Sequence, residues 1–222
     1  IKLLPYIEVN PNITPMASVI WLHGLGADGH DFDPIVADLK LSKNLPIRFI
    51  FPTAPPRAVT INQGMIMPAW YDLAQLDPNK HDEKGIGESE KMIGQLIEHE
   101  ISRGISSDKI TLAGFSQGGV IALHTGLRYP KKLAGILSLS AYLPFGERLK
   151  TERSKENINI PIFMAHGITD NIIPIQFARL SYHVLKQLNY KTDWHDYPME
   201  HSVCTEEVND ISRWLREIYL TS

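Results

Sequence analysis

The sequence predicts an α/β fold with a mainly parallel central sheet and helices on both faces. Two observations carry this. Short apolar runs alternate with longer amphipathic ones, the order in which βαβ units are built. A serine framed by glycines, Gly114-Phe115-Ser116-Gln117-Gly118, stands between a strand-like run and a helix-like run, where a sharp strand-to-helix turn needs small flanking residues. With 222 residues, 43% of them apolar, the chain is long enough to bury a core as a single domain over residues 1–222.

The first strand candidate, "SVIWLH", runs into "LHGLGADG", which contains G-x-G-x-x-G. That pattern raises the alternative of a Rossmann-like, dinucleotide-binding oxidoreductase. Such a site needs a carboxylate about 20 residues further on to hold the ribose. No Asp or Glu occurs between Asp38 and Asp72, and the next strand candidate, "IRFIFP", ends in Phe51-Pro52. The glycines therefore call for another use.

After "IRFIFP" comes a long Pro-rich stretch, "TAPPRAVTINQGMIMPAWYDLAQLDPNKHDEKG". Loops of that length tend to be functional. Met65, Ile66 and Trp70 are too apolar for a solvated loop, and the stretch emerges where the strands of such sheets present their carboxyl ends to ligands. They are expected to contact substrate; packing against the sheet is the competing reading. Ile93, Leu96, Ile97 and Ile101 then fall on one helical face.

"KITLAGF" leads into the Ser116 turn, and "SQGGVIALHTGLRYP" reads as a helix closed by Pro130. "LAGILSLS" and "IPIFMAH" are strands, and Asp170 in "HGITDNIIP" lies between the latter and a helix opening near Pro174. The last strand is "TDWHDY", and the stripe Val208, Ile211, Leu215 and Ile218 marks the last helix.

A serine hydroxyl becomes a nucleophile when a base takes its proton and an acid holds that base in one tautomer. In this fold type the partners follow in the order Ser, acid, His. Nine histidines compete for the role. His99, His124 and His183 sit in helical patterns, His23 and His166 end strands next to glycines and shape turns, and His195 lies within a strand. His201, in "YPMEHSV", falls in the loop after the last strand and is the best base. Asp170 is the best acid, with helix capping as its competing role. Two backbone amides must face the developing oxyanion. Gln117 follows the nucleophile, and Leu25 in "HGLG" supplies the second, its flanking glycines letting the backbone turn inward.

Taken together, "LHGLGADGHDF", "FPTAPPRAVTINQGMIMPAWYDL", "AGFSQGGVIALHTGL", "HGITDNIIP" and "MEHSV" resemble the phospholipase/carboxylesterase family of α/β-hydrolases, which includes the acyl-protein thioesterases. The resemblance spans nearly the whole chain in order, and "HGLGADG" and "HGITDN" look more bacterial than eukaryotic. It implies the α/β-hydrolase fold, the triad Ser116, Asp170 and His201, Leu25 and Gln117 as oxyanion donors, and an apolar acyl site beside "INQGMIMPAW". It also implies frequent dimerisation, and an ester or thioester substrate carried on a lipid, a small molecule or an acylated protein.

Composition bounds the rest. Net charge is −3 with no long basic run, so the footprint of a nucleic-acid binder is absent. The lone Cys204 leaves no internal disulfide or multi-cysteine metal site and fits a reducing compartment. No run reaches the roughly 18 apolar residues of a spanning helix, and a cytoplasmic location is expected, with transient membrane contact open to a lipid-directed enzyme. No cofactor and no metal are expected, since the spacing of His195 and His201 lacks an H-E-x-x-H pattern. A degenerate hydrolase kept as a binding scaffold is the remaining alternative.

Overall fold

All six strand candidates are strands in the computed structural model, which describes residues 3–77 and 80–220. The elements are β1 (Tyr6–Val9), β2 (Ala17–Leu22), α1 (Ile35–Asp38), β3 (Ile47–Pro52), β4 (Pro56–Val59), β5 (Met65–Pro68), α2 (Glu83–Ser102), β6 (Ile110–Phe115), α3 (Gln117–Arg128), β7 (Gly135–Leu139), α4 (Leu149–Glu152), β8 (Ile162–Gly167), α5 (Ile175–Gln187), β9 (Thr192–Tyr197) and α6 (Thr205–Leu220). The sheet order is β1-β3-β2-β6-β7-β8-β9, parallel throughout except for β1, which pairs antiparallel with β3.

Every residue of β2, β3 and β8 is buried, as expected of parallel strands covered on both faces. Side chains alternate between two cores. Ile20 and Leu22 join Ile93, Leu96 and Ile97 of α2, Val120 of α3 and Ala178 of α5 on one face. Val19 and Trp21 join Ile35 of α1 and Ile211, Trp214 and Leu215 of α6 on the other. Helices therefore cover both faces, and the two helical stripes read from periodicity, on α2 and α6, lie inward.

Two features depart from the sequence reading. β1 is an edge strand whose four residues are all half-buried, with Arg103, the C-cap of α2, bonded to the Glu8 carboxylate. The long Pro-rich stretch contains an antiparallel hairpin, β4 with β5, pairing Pro56 with Pro68 and Val59 with Met65. Its turn uses left-handed backbone at Gln63 and Gly64.

Because β2, β6, β8 and β9 run parallel, their carboxyl ends open at one edge. The loops carrying Leu25, Ser116, Asp170 and His201 therefore converge there, although the residues are far apart in sequence.

Candidate active site

Ser116 holds φ 54° and ψ −123° between β6 and α3, a conformation a side chain adopts only when its surroundings impose it. The flanking glycines allow that close turn. A Cβ at Gly114 would lie 2.2 Å from the Gly118 carbonyl oxygen, and one at Gly118 would lie 2.3 Å from the Leu22 carbonyl oxygen. The Ser116 amide donates to Leu139 O at 2.8 Å, which anchors the turn on β7.

The Ser116 hydroxyl donates to His201 Nε2 at 2.9 Å, and His201 Nδ1 donates to Asp170 Oδ2 at 2.7 Å. A carboxylate only accepts, so Nδ1 carries the proton and Nε2 is free to act as a base. The imidazole packs on the Phe115 ring with centroids 4.8 Å apart. The Asp170 side chain is fully buried. Its Oδ1 accepts from the amides of Ile172 at 2.9 Å and Ile173 at 2.8 Å, leaving Oδ2 for the imidazole. Asp170 thus organises its own turn and does not cap α5, whose N-cap is Pro174. Below it, buried His166 hydrogen-bonds Ile173 O through Nε2 at 2.8 Å, and burial holds its pKa below the ordinary value. The Asp170 and His201 loops are zipped together by Ile168 N to Tyr197 O and Thr169 N to Met199 O.

Leu25 and Gln117 border the same cleft as Ser116 and His201. Gln117 begins α3, where the first amides of a helix have no intrahelical acceptor and face outward. His23 approaches the elbow closely, since a Cβ at Gly118 would lie 2.5 Å from its carbonyl oxygen, and Gly24 sits at ordinary contact distance from Ser116. The glycine-rich loop is followed by turns and by α1, which has four residues. The long helix on whose N-terminus a pyrophosphate would rest is therefore missing from this loop.

The cleft has a volume of about 290 Å³ and is lined mainly by apolar groups, among them Leu25, Leu73, Leu76, Tyr71, Tyr142, Ile172 and Ile173. The structure places the three expected substrate contacts outside the lining of this cleft. Trp70 is fully buried beneath the cleft and does not line it. Met65 and Ile66 project from β5 into solvent, 64% and 73% exposed, and also lie outside its lining. The residues just after the hairpin, Tyr71, Leu73 and Leu76, line the cleft together with Ser116. Tyr142, Ile172 and Ile173 escaped the sequence reading. Their signal was position: "SAYLP" and "TDNIIP" directly follow strand ends at the same edge.

A larger depression, about 750 Å³, lies at the opposite edge of the sheet among Lys109, Lys132, Lys155 and Lys191, with acidic residues between them. Ser116, Asp170 and His201 lie outside its lining, so size alone does not mark the site. His195 stacks on Phe163 with centroids 4.6 Å apart and faces Asp210, away from Ser116. Cys204 is half-buried, and burial raises its thiol pKa. Among the described residues, no group of three or more His, Cys, Asp or Glu could hold a metal ion, and no helix is long and apolar enough to cross a membrane.

A strained serine on a strand-to-helix turn, hydrogen-bonded to a histidine and through it to a buried aspartate on later loops of the same parallel sheet, is the arrangement of an α/β-hydrolase. Residues 6–219 match the family model described as phospholipase/carboxylesterase, and the chain belongs to that family. It is 36% identical to acyl-protein thioesterase 1 of Yarrowia lipolytica over 219 residues, covering 96% of each chain. It is 40% identical to the Neurospora crassa protein of the same name over 214 residues, covering 90% of this chain and 86% of that one. Among solved structures, Arabidopsis thaliana SOBER1 superposes with a TM-score of 0.85 at 30% identity, covering 91% of this chain and 98% of that one. Zea mays acyl-protein thioesterase 2 gives 0.86 at 28%, covering 96% and 98%. The chain is an ester or thioester hydrolase, and the oxidoreductase alternative finds no support. These relatives are eukaryotic, so the bacterial cast of "HGLGADG" and "HGITDN" has no support from them.

Proposed function

We propose that Ser116 attacks the acyl carbon of a carboxylic ester or thioester while His201 Nε2 takes its proton. The observation that carries this is the relay from Asp170 Oδ2 through His201 to Ser116 Oγ, at 2.7 and 2.9 Å, opening on an apolar cleft. The backbone amides of Leu25 and Gln117 stabilise the oxyanion. His201 then returns the proton to the leaving alcohol or thiol, and an acyl-Ser116 intermediate remains. Water, deprotonated by the same imidazole, releases the carboxylic acid.

The lining favours apolar acyl chains, with Asp31 as the charged residue at its border. Relatives named acyl-protein thioesterase favour a thioester, and they extend the proposed carriers to acylated protein beside lipids and small alcohols. The enzyme acts as one domain in the cytoplasm, touching membranes transiently when its substrate lies there, and a homodimer is part of this reading. The test is labelling with a fluorophosphonate, followed by peptide mass analysis. The modified residue is expected to be Ser116, and hydrolysis should fall with labelling. A protein that binds acyl esters without turnover or labelling would be the scaffold of the competing reading.

A further inference from the structure

The two proposed oxyanion donors belong to segments that share no secondary structure: Leu25 follows β2 and Gln117 begins α3. Both must lie about 3 Å from one oxygen, so their spacing has to be held by something. The Gln117 side chain is buried and turned away from substrate. Its Oε1 accepts from the Trp70 amide and its Nε2 donates to Tyr71 O, each at 2.8 Å. From the same Trp70, the indole Nε1 donates to His23 O at 2.9 Å, and the ring lies 5.2 Å from the His23 imidazole. His23 Nε2 accepts from the Ala54 amide, so Nδ1 carries the proton and donates to Gly24 O at 2.6 Å. A second tie runs from Gly26 N to Pro68 O at 2.9 Å.

We infer that Trp70 is a positioning residue for the oxyanion hole, a strut between the Gln117 side chain and the His23 carbonyl that sets the spacing of the Leu25 and Gln117 amides. This rests on the serine-hydrolase reading above. Packing alone asks only for a large apolar side chain at Trp70. It does not ask that the indole N–H reach the carbonyl two residues before Leu25, nor that a glutamine amide close on the main chain of Trp70 and Tyr71 from the other side. Those polar bonds are buried and directional, and each end meets a segment bearing one donor. Ser89 Oγ donates to Trp70 O and fixes the strut to α2.

Trp70→Phe keeps a buried ring and removes the N–H. It is expected to lower kcat about 10- to 100-fold, less than or comparable to deleting an oxyanion donor outright. KM should stay within about twofold, and the loss should be the same for acetyl and octanoyl p-nitrophenyl esters. Affinity for an alkyl trifluoromethyl ketone, whose adduct with Ser116 carries an oxyanion, should weaken by the same factor as kcat/KM. Gln117→Leu cuts the strut at its other end and should show the same signature, with the double variant little worse than either single one. Thermal unfolding of each variant shows the fraction folded, by which rates are corrected. The inference is overturned if corrected kcat for both single variants stays within twofold of the parent, or if only long-chain esters suffer, which would make Trp70 a wall of the acyl site. Full activity in Ser116→Ala would instead overturn the hydrolase reading, and the strut with it.

Discussion

Gly167 and Glu200 touch so closely that a Cβ on Gly167 would lie 2.1 Å from the Glu200 carbonyl oxygen. Gly167 ends β8, three residues before Asp170, and Glu200 immediately precedes His201. The contact therefore holds the loops that carry Asp170 and His201, the proposed acid and base, at a fixed separation. Gly167→Ala must push the two loops apart, since the obstacle is backbone. Its kcat is expected to fall at least about tenfold, because small displacements in a catalytic constellation are costly. Steady-state kinetics beside a thermal melt separate this from loss of fold.

Ser116→Ala and His201→Ala should each reduce kcat by about 10³-fold or more, and combining them should add little, because the residues act as one unit. Asp170→Asn should lose activity by favouring the wrong imidazole tautomer. His195→Ala should remain within a few-fold of the parent, as its ring packs on Phe163. An inactive His195→Ala beside an active His201→Ala would reassign the base.

Kinetics across acyl chain length test the lining. Each buried methylene is worth about 0.8 kcal/mol, so kcat/KM should rise by about fourfold per carbon until the cleft is full. Leu76→Ala and Ile172→Ala, which remove lining groups, should flatten that rise. Met65→Ala and Ile66→Ala should leave the profile for soluble esters unchanged. A flattened profile in the latter pair would return those residues to the acyl site.

Stability should depend on pH through Glu207, whose carboxyl is pushed by burial from 4.5 up to about 8. The folded state holds this proton more tightly than the unfolded chain. Its contribution is therefore fully present below about pH 4.5 and is lost as pH rises to about 8, a change on the order of a few kcal/mol. Glu207→Gln should remove that slope, read as urea midpoints from pH 5 to 8. Identical slopes in the two proteins would exclude Glu207 as the cause.

Buried His23 and His166 act in the opposite direction. Burial lowers both pKa values from 6.5, so the unfolded chain takes up protons first. Stability from these groups is present above about pH 6.5 and declines as pH falls through the depressed values. His166→Asn should flatten the acid limb of the urea midpoints; an unchanged limb would mean His166 does not titrate on unfolding.

By itself the sequence determined the fold class, the six parallel strands and the glycine-framed turn at Ser116. Those are local signals: alternation and periodicity report which faces are buried, and Gly114 and Gly118 report a turn with no room for a side chain. Tertiary structure alone decided what the Pro-rich stretch does. Composition marked Met65, Ile66 and Trp70 together as apolar, yet two stand in solvent and the third is sealed in the core, because facing depends on partners distant in the chain. Trp70 turns inward toward the His23 carbonyl and the Gln117 amide, 47 residues away on either side. β1 was hidden for the same reason: four half-buried residues carry little pattern, and their strand exists through pairing with β3 about 40 residues on. Pairings closed over such distances are set by the assembled sheet, which no short window of sequence contains.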